Sequence, residues 1–327
     1  MRTARIKIAA EEGTATYHCM TRVVNGERVI DDPAKEVLRG QLWLTAEFCG
    51  VEILTYAIMS NHFHVLVRVP QKTVPADAEL LRRYRLLHPK PTKYQAERIE
   101  VIEGQLASGG AEGEAWRRRQ LALMGDVSAF MKLLKQRFAI WFNKAHKRYG
   151  TLFAERFKSV LVENRTNALR TMALYIDLNP VRAGLVADPK DYRFCGYGEA
   201  VAGHKPARAG LCHLHGSDWR HAHAAHRLGL FGTGSSPRAR GATIAPASFE
   251  KVLRQKGQLP LTDVLRCRVR YFTDAAVLGS EAFVATQLAA FRRRHGTRAR
   301  TAPRPLPPLA DWGGLTALRG LRRSPFG

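Results

Sequence analysis

The sequence is short of acidic residues, of cysteines and of long apolar runs, and each shortage excludes a class of protein. No apolar run approaches the length of a membrane span, and residues 1–13 lack the apolar core of a secretory signal. The five cysteines are odd in number, scattered and never spaced as CxxC, so they predict reduced thiols rather than a disulfide framework. The chain is therefore expected to be cytoplasmic.

The charge balance indicates a polyanionic partner. Only 28 residues are Asp or Glu, whereas 52 are Lys or Arg, and the formal net charge is +24 at pH 7. Nucleic acid is the commonest polyanion to attract such a chain, and an acidic membrane surface is the competing interpretation. With 327 residues, 45% of them hydrophobic, the chain is long enough to bury a proper core.

The segment His62-Phe63-His64 carries the strongest signal for chemistry. It opens a run with strand-like alternation, so both histidines are expected to project from one face, roughly 7 Å apart along the backbone, while Phe63 points into the core. Two adjacent imidazoles make two thirds of an open metal site. The competing interpretation is a pair of ordinary surface histidines, which is what an isolated His-x-His more often represents.

The first two hundred residues have the pattern of an α+β fold. Strands are predicted at 16–23, 51–59, 62–69 and 157–163, and helices at 32–50, 127–146 and from 166 to the Asn179-Pro180 step. Strand, helix, hairpin, helix, strand is the order of a ferredoxin-like antiparallel sheet with two helices on one face. The other face then remains for the histidines and for the last of these helices.

The remainder of the chain is divided by composition. The polar composition of residues 71–125 predicts an insertion that contains short helices at 78–87 and 112–124. Beyond the first unit, 201–245 is read as a basic linker rich in His and Gly, 246–295 as a small helical module, and 296–327 as a disordered basic tail. The histidines of the linker fit no standard zinc finger, so a solvated basic loop is the preferred interpretation.

The helix from residue 166 adds two polar side chains to the prediction. Tyr175 and Asn179 lie one turn apart on the flank of its apolar stripe, where neither is expected to be fully buried or fully solvated. A tyrosine beside a metal-bound phosphate can attack phosphorus and hold a DNA end as phosphotyrosine. Amide oxygen and imidazole ligands with open positions suit Mg²⁺ or Mn²⁺ better than structural zinc. A packing tyrosine, and an asparagine that merely ends a helix before proline, are the competing interpretations.

Four sequence blocks follow one another in order between residues 15 and 200. They are Tyr17-His18 with Thr21-Arg22, then 59–65, 153–159 and 175–186. Together they resemble the single-tyrosine HUH transposases, and more narrowly the REP-associated tyrosine transposases of bacteria. The last block is the most specific. The resemblance implies an HUH endonuclease fold over residues 1–200, interrupted at 71–125 and followed by a C-terminal helical extension.

The resemblance also implies an activity and its residues. It implies metal-dependent cleavage and strand transfer of single-stranded DNA near hairpins, through a 5′-phosphotyrosine and a free 3′-hydroxyl. His62 and His64 correspond to the metal ligands, Tyr175 to the nucleophile, and Asn179 to a further ligand of Mg²⁺ or Mn²⁺. The expected partner is single-stranded or hairpin DNA, bound by a monomer or homodimer at the bacterial nucleoid and not at a membrane.

Other residues and other functions stay open at this point. Arg22, Arg156, Lys158 and Arg182 are candidates to bind phosphates near the cut, although a solvated surface charge explains each one as well. His18 is expected to belong to the neighbouring surface or to contact DNA. The alternative functions are a domesticated protein that binds DNA hairpins without cutting them, and a nickase of the replication-initiator type.

Overall fold

The computed structural model describes residues 5–9, 11–231, 261–265, 271–295, 301–307 and 310–319. In this part of the chain, no helix is long and apolar enough to cross a membrane. The Gly- and Ser-rich end of the predicted linker, 232–245, and the first part of the predicted helical module, 246–260, lie outside the described residues.

The first unit is a four-stranded antiparallel sheet with two connecting helices. Its elements are β1 (Ala15–Arg22), α1 (Asp32–Cys49), β2 (Glu52–Ile58), β3 (His62–Val69), α5 (Val127–Ala145) and β4 (Lys158–Val162). β1 pairs with β3 and β4, and β3 pairs with β2, which gives the order β2-β3-β1-β4. This is the strand order of a ferredoxin-like sheet, so the predicted α+β class is confirmed.

Local sequence signals set the ends of α1. The Asp31 side chain accepts a hydrogen bond from the Ala34 amide at 2.9 Å, and Pro33 occupies the first turn, where its missing N–H costs nothing. Gly50 ends the helix in the left-handed region at φ 66°, a conformation that is strained for other residues. The ends predicted for this helix, 32 and 50, therefore agree with the observed ends to within one residue.

The two faces of the sheet carry different helices. On one face, Phe63 contacts Phe153, which in turn contacts Phe138 of α5, and α1 packs against α5. On the other face, α6 (Thr166–Asp177) packs against β2 and β3. The alternation of β3 therefore separates Phe63 from the histidines as predicted, and it turns the histidines toward α6.

The insertion contains three helices, of which two were predicted. They are α2 (Asp77–Leu86), α3 (Lys93–Ala107) and α4 (Ala111–Leu121). α3 was missed, although Thr92 and Gln95 form a capping box at its start. The Thr-x-x-Gln spacing is the sequence signal that could have located it.

Four α-helices lie within residues 179–231, and those after residue 204 correct the interpretation of 201–231 as a linker. They are α7 (Asn179–Arg182), α8 (Gly196–Val201), α9 (Lys205–His215) and α10 (Trp219–Phe231). α9 packs against β2 and α10 against α9. Ala207, Leu211 and Leu214 form a buried helical stripe, a periodicity that the basic, His-rich composition concealed.

The C-terminal extension is not purely helical, because it also adds strands to the sheet. Its described elements are α11 (Leu261–Leu265), α12 (Tyr271–Asp274), β5 (Val277–Gly279), α13 (Glu281–His295), β6 (Arg304–Pro305) and β7 (Thr316–Leu318). β5 pairs in parallel with β4, and the sheet continues as β5-β7-β6. Part of the predicted disordered tail is thus ordered, because Trp312, Leu315 and Leu318 are buried apolar side chains.

Candidate metal and nucleophile site

His62 and His64 lie at the start of β3 and project toward α6. Their ring centroids are 5.1 Å apart and the ring planes are nearly perpendicular, at 84°. His64 is only 2% exposed, whereas His62, at the end of the strand, is partly exposed. The structure therefore brings the two imidazoles together at the end of a central strand, which solvent reaches from one side.

The orientation of the His62 ring is fixed by its neighbour Asn61. The Asn61 amide nitrogen donates to the carbonyl oxygen of Gly26 at 3.1 Å, so its oxygen is turned toward His62. That oxygen lies 2.6 Å from His62 Nδ1 and can only accept, so Nδ1 carries the proton. The basic lone pair of the neutral ring is then on Nε2, the arrangement typical of a metal-binding histidine.

His18 is not a surface or DNA-contacting residue, which corrects the prediction for it. Its side chain is 1% exposed, with Nε2 2.8 Å from His64 Nδ1 and Nδ1 2.7 Å from the carbonyl oxygen of Phe272. The reason is twofold. The β1–β3 register places His18 on the same face as His64, and α12 of the extension covers that face.

Burial keeps the inner histidines neutral. Removal from water lowers the pKa of His18 to about 4, and the same effect lowers the pKa of His64 well below its usual value. The nearby Arg182 guanidinium acts in the same direction on both. A neutral imidazole is the form that binds a metal ion.

Tyr175 of α6 lies against the histidine pair. Its ring centroid is 6.2 Å from that of His64, with the two planes at 89°. It was expected on a half-exposed flank, but it is only 2% exposed, because the Phe272 ring covers it at a centroid distance of 4.8 Å. The covering residue belongs to the extension, whose position no local pattern around Tyr175 could indicate.

Arg182 and Asn179 both make contacts inside the protein. The Arg182 guanidinium lies 4.2 Å above the Tyr175 ring and donates to the backbone carbonyls of Tyr175 at 2.8 Å and of Leu265 at 2.6 Å. The Asn179 amide nitrogen donates to the Ile176 carbonyl at 3.0 Å. For Asn179, the amide oxygen is thus the atom that a metal would use, and its role as a ligand stays a prediction.

The remaining predicted DNA contacts gather around one small cavity. Arg22, Arg156 and Lys158 are exposed and line a cavity of about 180 Å³, together with Asp274, whose carboxylate is 3.5 Å from the Lys158 ammonium. Arg22 is the cross-strand partner of His62. The cavity therefore adjoins the exposed end of the histidine pair, and its three cations outnumber the two acids of its lining, Glu155 and Asp274.

The donor set is compatible with a divalent ion that keeps open coordination positions. His62 and His64 supply two neighbouring imidazoles, each with an acceptor for its other N–H. Within the described ranges, no group of three or more His, Cys, Asp or Glu has the geometry of a metal site. His18 cannot be a third ligand, since both of its ring nitrogens are engaged in hydrogen bonds. Two imidazoles completed by oxygen ligands suit Mg²⁺ or Mn²⁺ rather than a closed zinc site.

The back of α6 is anchored by a buried carboxylate that the sequence did not single out. Asp177 is fully buried, accepts a hydrogen bond from the Thr55 hydroxyl at 2.6 Å, and pairs with the imidazole of His226 at 2.9 Å. β2 and α10 thereby hold the helix that carries Tyr175. An acidic residue inside an apolar helical stripe is the available signal, because such a residue is rarely buried without a partner.

Comparison with known proteins supports the sequence resemblance for part of the chain. The family model described as "Transposase IS200 like" matches residues 13–79, a range that contains β1 to β3 with His18, His62 and His64. The resemblance to transposases is confirmed there, while Tyr175 and Asn179 lie beyond the match. The chain has no match among curated proteins.

One solved structure can also be superposed on the chain. It is that of a REP-associated tyrosine transposase bound to a REP hairpin, at 15% identity and a TM-score of 0.36, over 62% of this chain and 86% of the other. This similarity is too low to assign a function to any residue.

Proposed function

We propose that the protein is a transposase-type enzyme that cleaves and joins single-stranded DNA near hairpins through a phosphotyrosine intermediate. The observation that carries the proposal is the contact of Tyr175 with His64, 6.2 Å between ring centroids, at the paired histidines of a chain with a net charge of +24. A candidate nucleophile, two imidazoles and exposed cations near the end of one strand suit phosphoryl transfer to a protein side chain.

The chemistry assigned to Tyr175 is a transesterification. Its hydroxyl oxygen attacks the scissile phosphorus, the new oxygen–phosphorus bond forms, and the bond from phosphorus to the 3′ oxygen breaks. The phenol loses its proton and the departing 3′ oxygen gains one, so no water is consumed. Attack by a 3′-hydroxyl on the phosphotyrosine then joins a new strand and restores Tyr175. One difficult step is thereby divided into two easier ones.

The protein groups around Tyr175 have separate tasks in this proposal. Arg182, which lies over the ring, holds it in place and stabilises negative charge as the phenol loses its proton. Arg22, Arg156 and Lys158 bind the phosphates of the strand that enters beside His62. His62 and His64, with Asn179 as a further candidate ligand, would hold Mg²⁺ or Mn²⁺, which would supply positive charge at the phosphate when bound.

The test is formation of a covalent adduct. The full chain with MnCl₂ and a labelled oligonucleotide in which single strands flank a hairpin should give a band that survives denaturing electrophoresis. Tyr175→Phe should abolish that band, because the attacking oxygen is removed. The matched control is Tyr94→Phe, which removes the hydroxyl of a tyrosine that is 73% exposed on α3, and the adduct should persist. An adduct of normal yield from Tyr175→Phe would refute the nucleophile assignment.

The burial of Tyr175 favours a second candidate, a protein that binds DNA hairpins without cutting them. DNA reaches a hydroxyl on a side chain that is 2% exposed only if Phe272 moves away. In this case the oligonucleotide would shift in a native gel, and no adduct would form with Mg²⁺ or with Mn²⁺. The adduct assay therefore distinguishes the two candidates, whereas a replication-initiator-type nickase shares the phosphotyrosine chemistry and would also give an adduct.

A further inference from the structure

A chain of hydrogen bonds joins the C-terminal extension to the candidate metal ligand His64. The Phe272 carbonyl oxygen lies 2.7 Å from His18 Nδ1, and His18 Nε2 lies 2.8 Å from His64 Nδ1. The rings of the two histidines are stacked, with centroids 5.0 Å apart and planes at 17°. All three residues are 2% exposed or less, so water does not compete for these contacts.

The carbonyl at the end of the chain decides where the hydrogens are. Since a carbonyl oxygen can only accept, His18 Nδ1 must donate to Phe272. In a neutral ring His18 Nε2 is then an acceptor, and the donor that faces it is His64 Nδ1–H. The lone pair of neutral His64 therefore lies on Nε2.

We propose that His18 is a positioning residue for His64, held in that role by the backbone carbonyl of Phe272. The inference rests on the proposed function, in which His64 binds a divalent ion. Metal-binding histidines commonly donate their other N–H to a carboxylate, a carbonyl or a water, which fixes the tautomer and the ring orientation. Here a second histidine is the acceptor. The extension thus contributes to the metal site through a main-chain atom two hundred residues away from the histidine pair.

The same contacts are also expected if His18 and His64 have a purely structural role, in which each ring only provides a hydrogen-bond partner for the other in the core. The two roles have different consequences. A purely structural pair affects the stability of the fold and leaves the affinity of the folded protein for metal unchanged. A positioning residue affects metal affinity in protein that is folded, and a side chain that reproduces its donor and acceptor restores that affinity.

The first test needs neither metal nor a variant. Long-range proton–nitrogen NMR correlations of the full chain labelled with ¹⁵N-histidine, recorded with EDTA, distinguish protonated from unprotonated ring nitrogens. His18 and His64 should both carry their proton on Nδ1. A spectrum with the His64 proton on Nε2 would overturn the inference, whatever the protein does with metal.

The second test measures Mn²⁺ binding by titration calorimetry. His18→Phe removes both hydrogen bonds and keeps a flat ring, and it should weaken Mn²⁺ binding by about 10- to 100-fold, the usual effect of losing such a partner. His18→Gln keeps one donor and one acceptor and should recover most of the affinity. The matched control is Tyr17→Phe on the opposite face of β1, which removes the hydroxyl that is 3.0 Å from the Ile8 amide nitrogen. Its Mn²⁺ affinity should stay at the wild-type value.

The outcomes separate this inference from the proposed function. If the wild-type chain binds Mn²⁺, His64→Ala does not, and folded His18→Phe binds as tightly as wild type, then only the positioning role is wrong. If the wild-type chain binds neither Mn²⁺ nor Mg²⁺, the metal dependence of the proposed function is refuted, and the positioning role of His18 is refuted as well. If His18→Phe does not fold, the wild-type NMR spectrum and the affinity of His18→Gln decide the question.

Discussion

Asp177 follows Tyr175 by two residues, and its side chain is anchored away from the candidate nucleophile. The carboxylate is fully buried and is held by the Thr55 hydroxyl, by the Tyr197 amide at 3.3 Å and by the His226 imidazole. Asp177→Ala would leave these donors buried without an acceptor. We expect the free energy of unfolding to fall by about 3–5 kcal/mol, as is typical when one partner of a buried pair is removed.

Urea denaturation of the full chain measures this loss. Asp177→Asn keeps the oxygen that faces Thr55 and should cost less than Asp177→Ala. The control is Asp191→Ala, since the Asp191 side chain is 61% exposed, and its removal should change the unfolding free energy by no more than about 0.5 kcal/mol. Equal losses for Asp177→Ala and Asp191→Ala would show that the buried carboxylate does not anchor α6.

At the scale of elements, α9 approaches β2 so closely that only glycine fits between them. A Cβ atom at Gly210 would lie 2.6 Å from the Ile53 carbonyl oxygen and 2.7 Å from that of Leu54. These are main-chain atoms of a strand and cannot rotate away. Gly210→Ala should therefore destabilise the fold by about 1–3 kcal/mol, the usual cost of overpacking.

Gly40 in α1 provides the matched comparison. A Cβ there meets no atom within 4 Å, and the backbone is helical. Gly40→Ala should stabilise the protein by about 0.4–1 kcal/mol, because alanine restricts the unfolded chain more than glycine does. The two variants should shift the urea midpoint in opposite directions. A shift in the same direction would mean that the packing of α9 on β2 is looser than described.

The sequence predicts the elements of the first unit because their signals are local. Alternation defines β3 and separates Phe63 from the histidines, and capping residues define α1. The partners of His64 could not be predicted in the same way. The cross-strand register brings His18 to His64. Phe272 lies on α12, which is placed there by the pairing of the following strand, β5, with β4, and both contacts depend on tertiary packing. The burial of Tyr175 was missed for the same reason.

At the scale of the whole molecule, the effect of the net charge of +24 on DNA binding differs from the effect of the few charges that are proposed to contact DNA. Each phosphate contact to a single strand contributes about −0.7 to the slope of log affinity against log salt concentration. Arg156 is exposed and lines the cavity beside His62. Arg156→Gln should therefore weaken binding to all sequences alike and reduce the magnitude of the slope by about 0.7.

Arg193→Gln removes the same charge at a different place and is the control. The Arg193 side chain is 69% exposed, and its guanidinium is 2.9 Å from the Glu36 carboxylate, so it neutralises an acid of the protein rather than a phosphate. Binding of the hairpin oligonucleotide is measured by fluorescence anisotropy from 50 to 300 mM NaCl, in the Tyr175→Phe background with EDTA to prevent cleavage. If the total charge alone governs binding, both substitutions change the slope equally. Because Arg156 lines the cavity beside His62, where the strand is proposed to enter, we expect only Arg156→Gln to change it.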